Sequence, residues 1–129
     1  MSFTHKIDRI LTTGGVQASN LTESITAASQ TRVLETIATG QTNKLVNYTL
    51  VVANCKSFMV VASVAMTFKT NSSSTPLNTL NLLAGVPYYW SINSLDTFKL
   101  TGDVTALYLT NASGTDGTLT LESLFDPTP

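Results

Sequence analysis

From Phe58 to Phe68 every even position is apolar: Phe58, Val60, Ala62, Val64, Met66 and Phe68. The odd positions are mixed, with Ser57, Met59, Val61, Ser63, Ala65, Thr67 and Lys69. Successive side chains of a strand point to opposite faces, so this alternation predicts one long strand with a fully buried face and a partly covered one. Val46, Tyr48, Leu50 and Val52 repeat the pattern just upstream. Further strands are predicted at 21–27, 32–38, 77–83, 86–92, 104–110 and 118–125. Asn, Gly, Ser, Asp and Pro punctuate the gaps, as in Asn71-Ser72-Ser73-Ser74-Thr75-Pro76 and Ser113-Gly114-Thr115-Asp116-Gly117. No stretch of twelve residues carries a helical period. Seven or eight strands without intervening helices predict an all-β fold, an antiparallel β-sandwich of jelly-roll or Ig-like type.

Directly opposed residues of an antiparallel pair share a face. Val52 and Leu50 therefore meet Phe58 and Val60 only across an odd-length loop at 54–56, or else the two strands belong to different sheets. The same test predicts a final hairpin, with Leu107 and Leu109 aligned to Leu121 and Leu119 around a loop at 111–117.

The N-terminus breaks the pattern. Phe3, Ile7, Ile10 and Leu11 stand at helical spacing before Gly14-Gly15, a plausible helix stop. The segment is either a short helix or an extended arm, and an isolated helix of this length is not stable. The expected organisation is an arm over residues 1–20 and a sandwich domain over 21–129. The four apolar arm residues are the candidate partner-binding set, because an arm orders only where such side chains find a surface.

Composition narrows the function classes. Of 129 residues, 43% are hydrophobic and only 12% charged, and 22 Thr, 13 Ser and 9 Asn supply the polarity. A net charge of −1 gives no basic field for nucleic acid or for an anionic membrane. The most apolar run is far shorter than the ~20 residues a membrane helix needs. The charged first ten residues do not read as a signal peptide. Four Asn-X-Ser/Thr sequons, at Asn20, Asn47, Asn71 and Asn111, follow from the Ser/Thr content.

Candidate chemistry is sparse. His5 is the lone histidine, placed in the arm and read as a surface or interface residue. Cys55 is the lone cysteine, at an expected loop tip and read as an exposed thiol; it makes no disulfide or zinc site by itself. Most of the five aspartates sit in expected turns, their ordinary place. No enzyme, metal or cofactor is expected from these sets. Tyr88-Tyr89-Trp90 is the one aromatic cluster, with Tyr88 and Trp90 expected in the core and Pro87 marking an edge strand or strand start. A sugar-stacking platform on Tyr89 or Trp90 would instead make the chain a carbohydrate-binding module.

The last fifty residues carry a resemblance. Ala84, Gly85, Pro87 and Trp90, followed by Val104, Thr105, Leu107, Asn111, Gly114, Thr115, Leu119 and Leu121, resemble the C-terminal halves of small virion structural proteins of tailed bacteriophages. The resemblance implies a non-enzymatic β-sandwich of the virion, a capsid decoration (cement) protein or else a tail or fibre module. A decoration protein is expected to form a homo-oligomer, a trimer by preference, and to bind the major capsid protein or another virion protein.

Overall fold

A computed structural model describes residues 2–127, with the side chains of 11–13 and 18–20 outside the described set. The chain is all-β and its ladders are antiparallel. Ten strands run as β1 (Phe3–Thr13), β2 (Val16–Ala27), β3 (Ser29–Ile37), β4 (Lys44–Val46), β5 (Cys55–Ala62), β6 (Met66–Thr70), β7 (Thr79–Leu82), β8 (Tyr88–Ser91), β9 (Leu107–Thr110) and β10 (Gly117–Phe125). β3 to β10 form two four-stranded sheets, in the orders β3-β10-β5-β8 and β4-β9-β6-β7. β1 and β2 pair only with each other.

The two sheets close on one apolar interior. Phe58, Val60, Ala62, Leu119 and Leu121 line it from the first sheet, and Phe68, Leu107 and Leu109 from the second. All eight are fully buried. Phe58 touches the ring of Phe98 at 5.4 Å between centroids, and Trp90 stacks on Phe98 at 4.3 Å. These contacts bring the 92–100 loop into the core.

The expected strand over 58–68 is two strands in different sheets. β5 ends at Ala62 and β6 starts at Met66, with the chain crossing between the sheets at 63–65. The apolar parity survives because Ala62 and Met66 are an even number of residues apart and both point into the same interior. Ser63 anchors the corner: its N–H donates to the Thr118 carbonyl at 3.0 Å, and its hydroxyl accepts the Thr118 N–H at 2.8 Å. Of the two options for 45–52, separate sheets is the one adopted. β4 lies in the second sheet, Leu50 bridges to Val104, and a 3-10 turn at Val52–Asn54 leads into β5. The expected hairpin of 104–110 with 118–125 does not form, because β9 and β10 belong to opposite sheets. Their leucines face each other across the interior rather than side by side. The loop between them is held by Asn111, fully buried, whose Nδ2 donates to the carbonyls of Ile37 and Thr115, both at 2.8 Å. Burial removes the Asn111 sequon from the surface.

The arm is extended, not helical. β1 and β2 form a ribbon turned by Gly14 and Gly15 at φ +59° and +80°. Positive φ at both central residues is the requirement of a type I′ two-residue hairpin, so the glycine pair marks a turn and not a helix stop. β2 runs unbroken through residue 20, and the expected boundary between 20 and 21 falls inside it.

Gly117, at the start of β10, lies under the 63–65 corner. A Cβ there would overlap Val64 Cγ2 and sit 2.8 Å from Met66 Cε. Overpacking of this kind costs about 1–3 kcal/mol. Gly117→Ala is therefore expected to lower the urea midpoint without changing the slope of the transition, and an unchanged midpoint would refute the close packing of this corner.

Candidate functional site: the ribbon and the sheet face beneath it

Register fixes which ribbon residues share a face. Phe3 opposes Ala27, His5 opposes Ile25, Ile7 opposes Glu23, and Arg9 opposes Leu21. This odd-numbered face turns toward the outer surface of the first sheet, and Glu23, Ile25 and Ala27 are buried there. The opposite face, with Thr4, Lys6, Asp8, Thr22, Ser24 and Thr26, is exposed. Across it Thr4 bonds Thr26 at 2.9 Å, and the Thr22 hydroxyl donates to Asp8 at 2.8 Å.

The contact between ribbon and sheet has a small apolar part and a larger polar part. Ile25, Ala27 and Phe3 pack on Leu124 of β10 as a cluster separate from the main interior. Beside it runs a chain of hydroxyls. Ser57 Oγ donates to Tyr89 Oη at 3.4 Å, and Tyr89 Oη donates to Glu23 Oε1 at 3.4 Å. Ser91 Oγ also donates to Glu23 Oε1 in a short hydrogen bond. Arg9 Nη2 lies 3.6 Å from the other Glu23 oxygen, and the guanidinium sits 5.3 Å above the Tyr89 ring. The Glu23 carboxylate is thus buried with its charge matched and both oxygens partnered, the condition under which a buried charge is tolerated. His5 Nδ1 lies 2.7 Å from Ser57 Oγ. Which of the two donates is set by the ring tautomer. At the root of the ribbon the Ala28 N–H donates to Asp126 Oδ1 at 2.9 Å.

Ser57, His5 and Glu122 superficially echo a nucleophile, base and orienter, since Glu122 Oε2 is 4.0 Å from His5 Nε2. Ser57, however, is 0% exposed and lies under the ribbon. The His5–Ser57 hydrogen bond joins the ribbon to the sheet.

The ribbon outruns the sandwich. Ile10 is 60% exposed, Val16 70% and Leu21 54%, and Leu95 of the neighbouring loop is fully exposed. Between Leu21 and Leu95 opens a groove of about 530 Å³, also lined by Arg9, Glu23 and Asn93. Of the four arm residues singled out by sequence, Phe3 and Ile7 are half-buried on the chain's own sheet, and Ile10 faces solvent. The side chain of Leu11 lies outside the described residues. Glu23, Ser57, Ser91 and Leu124 were not singled out. Glu23 was detectable, because a carboxylate interrupts the run Leu21, Ile25, Ala27 on one strand face.

Both aromatic platform candidates already have protein partners. Tyr89 lies under Arg9, and half-buried Trp90 stacks on Phe98 and donates its indole N–H to the Asp96 carbonyl at 3.1 Å. β8 is an edge strand that begins directly after Pro87, as the proline predicts.

No family model matches this chain, no curated protein matches it, and no solved structure matches it. Among the described residues no group of three or more His, Cys, Asp or Glu side chains is placed to hold a metal ion, and no helix is long and apolar enough to cross a membrane.

Cys55 corrects one expectation. It opens β5 instead of occupying a loop tip, and it is buried. Burial pushes its thiol up to about 12, outweighing the opposite effect of a backbone hydrogen bond at Ser57. A thiolate is the reactive species. Ellman's reagent at pH 8 is therefore expected to leave native protein unmodified while labelling the urea-unfolded chain completely. Prompt labelling of native protein would contradict the packing at the start of β5.

Proposed function

We propose that this chain is a non-enzymatic virion structural protein, a capsid decoration protein that self-associates and binds the head through its ribbon. The observation that carries the reading is the distal half of the ribbon. Ile10, Val16 and Leu21 stand exposed on a strand pair that extends past its own sandwich. A two-stranded ribbon is marginally stable alone, and its outer edges present unpaired backbone groups. A larger assembly supplies both apolar cover and backbone partners.

The order of the strands supports the same reading. Counting β3 to β10 as the first to eighth sandwich strands, the first neighbours the eighth, the second the seventh, the third the sixth and the fourth the fifth. This is one long antiparallel hairpin wrapped so that successive pairs alternate between two sheets. We read it as a jelly roll, an architecture used by viral capsid and lectin domains. The trimer and the major capsid protein remain the proposed oligomer and partner, with a virion location.

Replacing Ile10 and Val16 together by Asp tests the proposal. Each apolar side chain is worth about 1.5–3 kcal/mol on burial, and each ~1.4 kcal/mol is tenfold in affinity. The double variant is expected to keep its circular dichroism and melting temperature while self-association and particle binding weaken by at least about tenfold. Wild-type assembly and wild-type particle binding by the variant would overturn the reading. Mass spectrometry of purified particles locates the partner: copurification with tails in place of heads would favour a tail or fibre module.

A further inference from the structure

We propose that His5 is an acid-sensitive latch: protonation of its ring releases the β1–β2 ribbon from the outer face of the first sheet while the sandwich stays folded. The latch needs only the docked ribbon described above; that release serves assembly rests on the proposed function.

The geometry is specific. The His5 side chain is only 10% exposed, wedged between ribbon and sheet. Nδ1 is engaged by Ser57 of β5, and Nε2 is buried without a hydrogen-bond partner. A cleft lined by Thr4, Lys6, Ile7, Met59 and Glu122 opens beside the ring. The charged and titratable groups around the ring come from each packed element. β10 contributes Glu122, 4.0 Å from Nε2 and beyond hydrogen-bond reach. β3 contributes Arg32, whose Nε engages the other Glu122 oxygen at 3.4 Å. β8 contributes Tyr89, β2 contributes Glu23 and β1 contributes Arg9, all held in the hydroxyl and ion-pair chain. β1 also contributes Lys6, which is exposed and lines the same cleft as His5 and Glu122. A second ring proton would place a cation on a largely buried side chain whose one nearby carboxylate is already shared with Arg32. A charge buried without a hydrogen-bonded partner is costly, and releasing the ribbon returns it to water.

The direction in pH follows. Burial lowers the imidazole pKa below its ordinary 6.5, outweighing the upward pull of Glu122. The docked state therefore binds the proton less tightly than the released state. Docking is at full strength above the ordinary value and weakens as pH falls below it. Ribbon-to-sheet contacts are mostly side chain to side chain, since no strand ladder joins β1 or β2 to the sandwich. Release therefore breaks none of the sandwich ladders.

His5 is the lone histidine, so its ring resonances in the intact chain need no assignment. The experiment titrates them by NMR between about pH 8 and pH 5, and follows amide exchange over the same range, corrected for intrinsic rates. The expected result is a ring titration below the ordinary imidazole value, with loss of protection confined to 3–9 and 21–27 while β5, β6 and β9 stay protected. His5→Phe, which cannot be charged, should abolish that loss. The latch is overturned by a ring pKa at or above the ordinary value, by constant ribbon protection, by loss of protection across the whole sandwich, or by the same acid release in His5→Phe. If His5→Phe fails to fold, coincidence of the wild-type ring titration with the wild-type loss of protection is the deciding measurement, and a mismatch overturns the latch. None of these readouts involves a particle, so failure of the proposed function leaves them standing.

Discussion

One closed apolar interior, filled from two sheets by strands whose chain neighbours mostly lie in the other sheet, governs this structure. Among the eight sandwich strands only β6 and β7 are both consecutive and hydrogen-bonded to each other. Every other consecutive pair crosses between the sheets. Each crossing must return apolar side chains to the same interior, or a whole strand face would turn to water. The crossing at 63–65 meets this requirement by an even step from Ala62 to Met66, and it leaves room at the corner only for glycine at position 117. The crossing from β9 to β10 is tied by a polar group, the Asn111 amide, which donates to the carbonyls of Ile37 and Thr115.

That constraint explains what was legible in the sequence. Strand content and the identity of the buried positions could be read from alternation, because burial depends on parity, and parity survives a crossing. Val60, Met66, Phe68, Leu107 and Leu121 all lie inside as their parity demands. Pairing could not be read the same way. Leu109 and Leu119 satisfy the arithmetic of a hairpin and of two facing sheets equally well, since both place apolar residues at matching parity. The corner at Ser63-Val64-Ala65 carries no glycine or proline, so nothing local marks the end of β5. At the N-terminus the signal was present but ambiguous. Phe3 and Ile7 fit a helical stripe and also alternate, whereas Gly14-Gly15 is decisive once read as two positive-φ residues between two strands. Of the candidate site, the apolar arm residues were legible. The polar residues that seat the ribbon were not, because Ser57 and Ser91 look like solvent-facing positions until a second layer covers them.

The two layers are joined by different physics. Between the sheets the contact is apolar, and separating them would expose the whole core. Between ribbon and sheet the apolar contribution is Phe3, Ile25, Ala27 and Leu124, and the remainder is hydroxyls, an imidazole and an ion pair. Water can replace hydrogen bonds of that kind at little net loss, because the net worth of each is about 1 kcal/mol. Two layers of unequal cohesion follow in one small chain: a body held by an apolar interior and a ribbon held on it largely by polar contacts.

The polar groups also determine where the ribbon sits. Sliding the ribbon by two residues along its own direction would keep every side chain on its proper face, and Ile25 would still find apolar surface near Leu124. Parity alone therefore does not fix the docked position. Such a slide would carry Glu23 away from Ser91 and Tyr89 and leave its buried carboxylate with fewer donors. It would also move His5 off Ser57. Removing the partners of a buried charge costs several kcal/mol, far more than the small change in apolar contact. The seat of Glu23 between Arg9, Tyr89 and Ser91 gives the ribbon one defined register on the sheet, and with it sets the direction in which the exposed ribbon tip points.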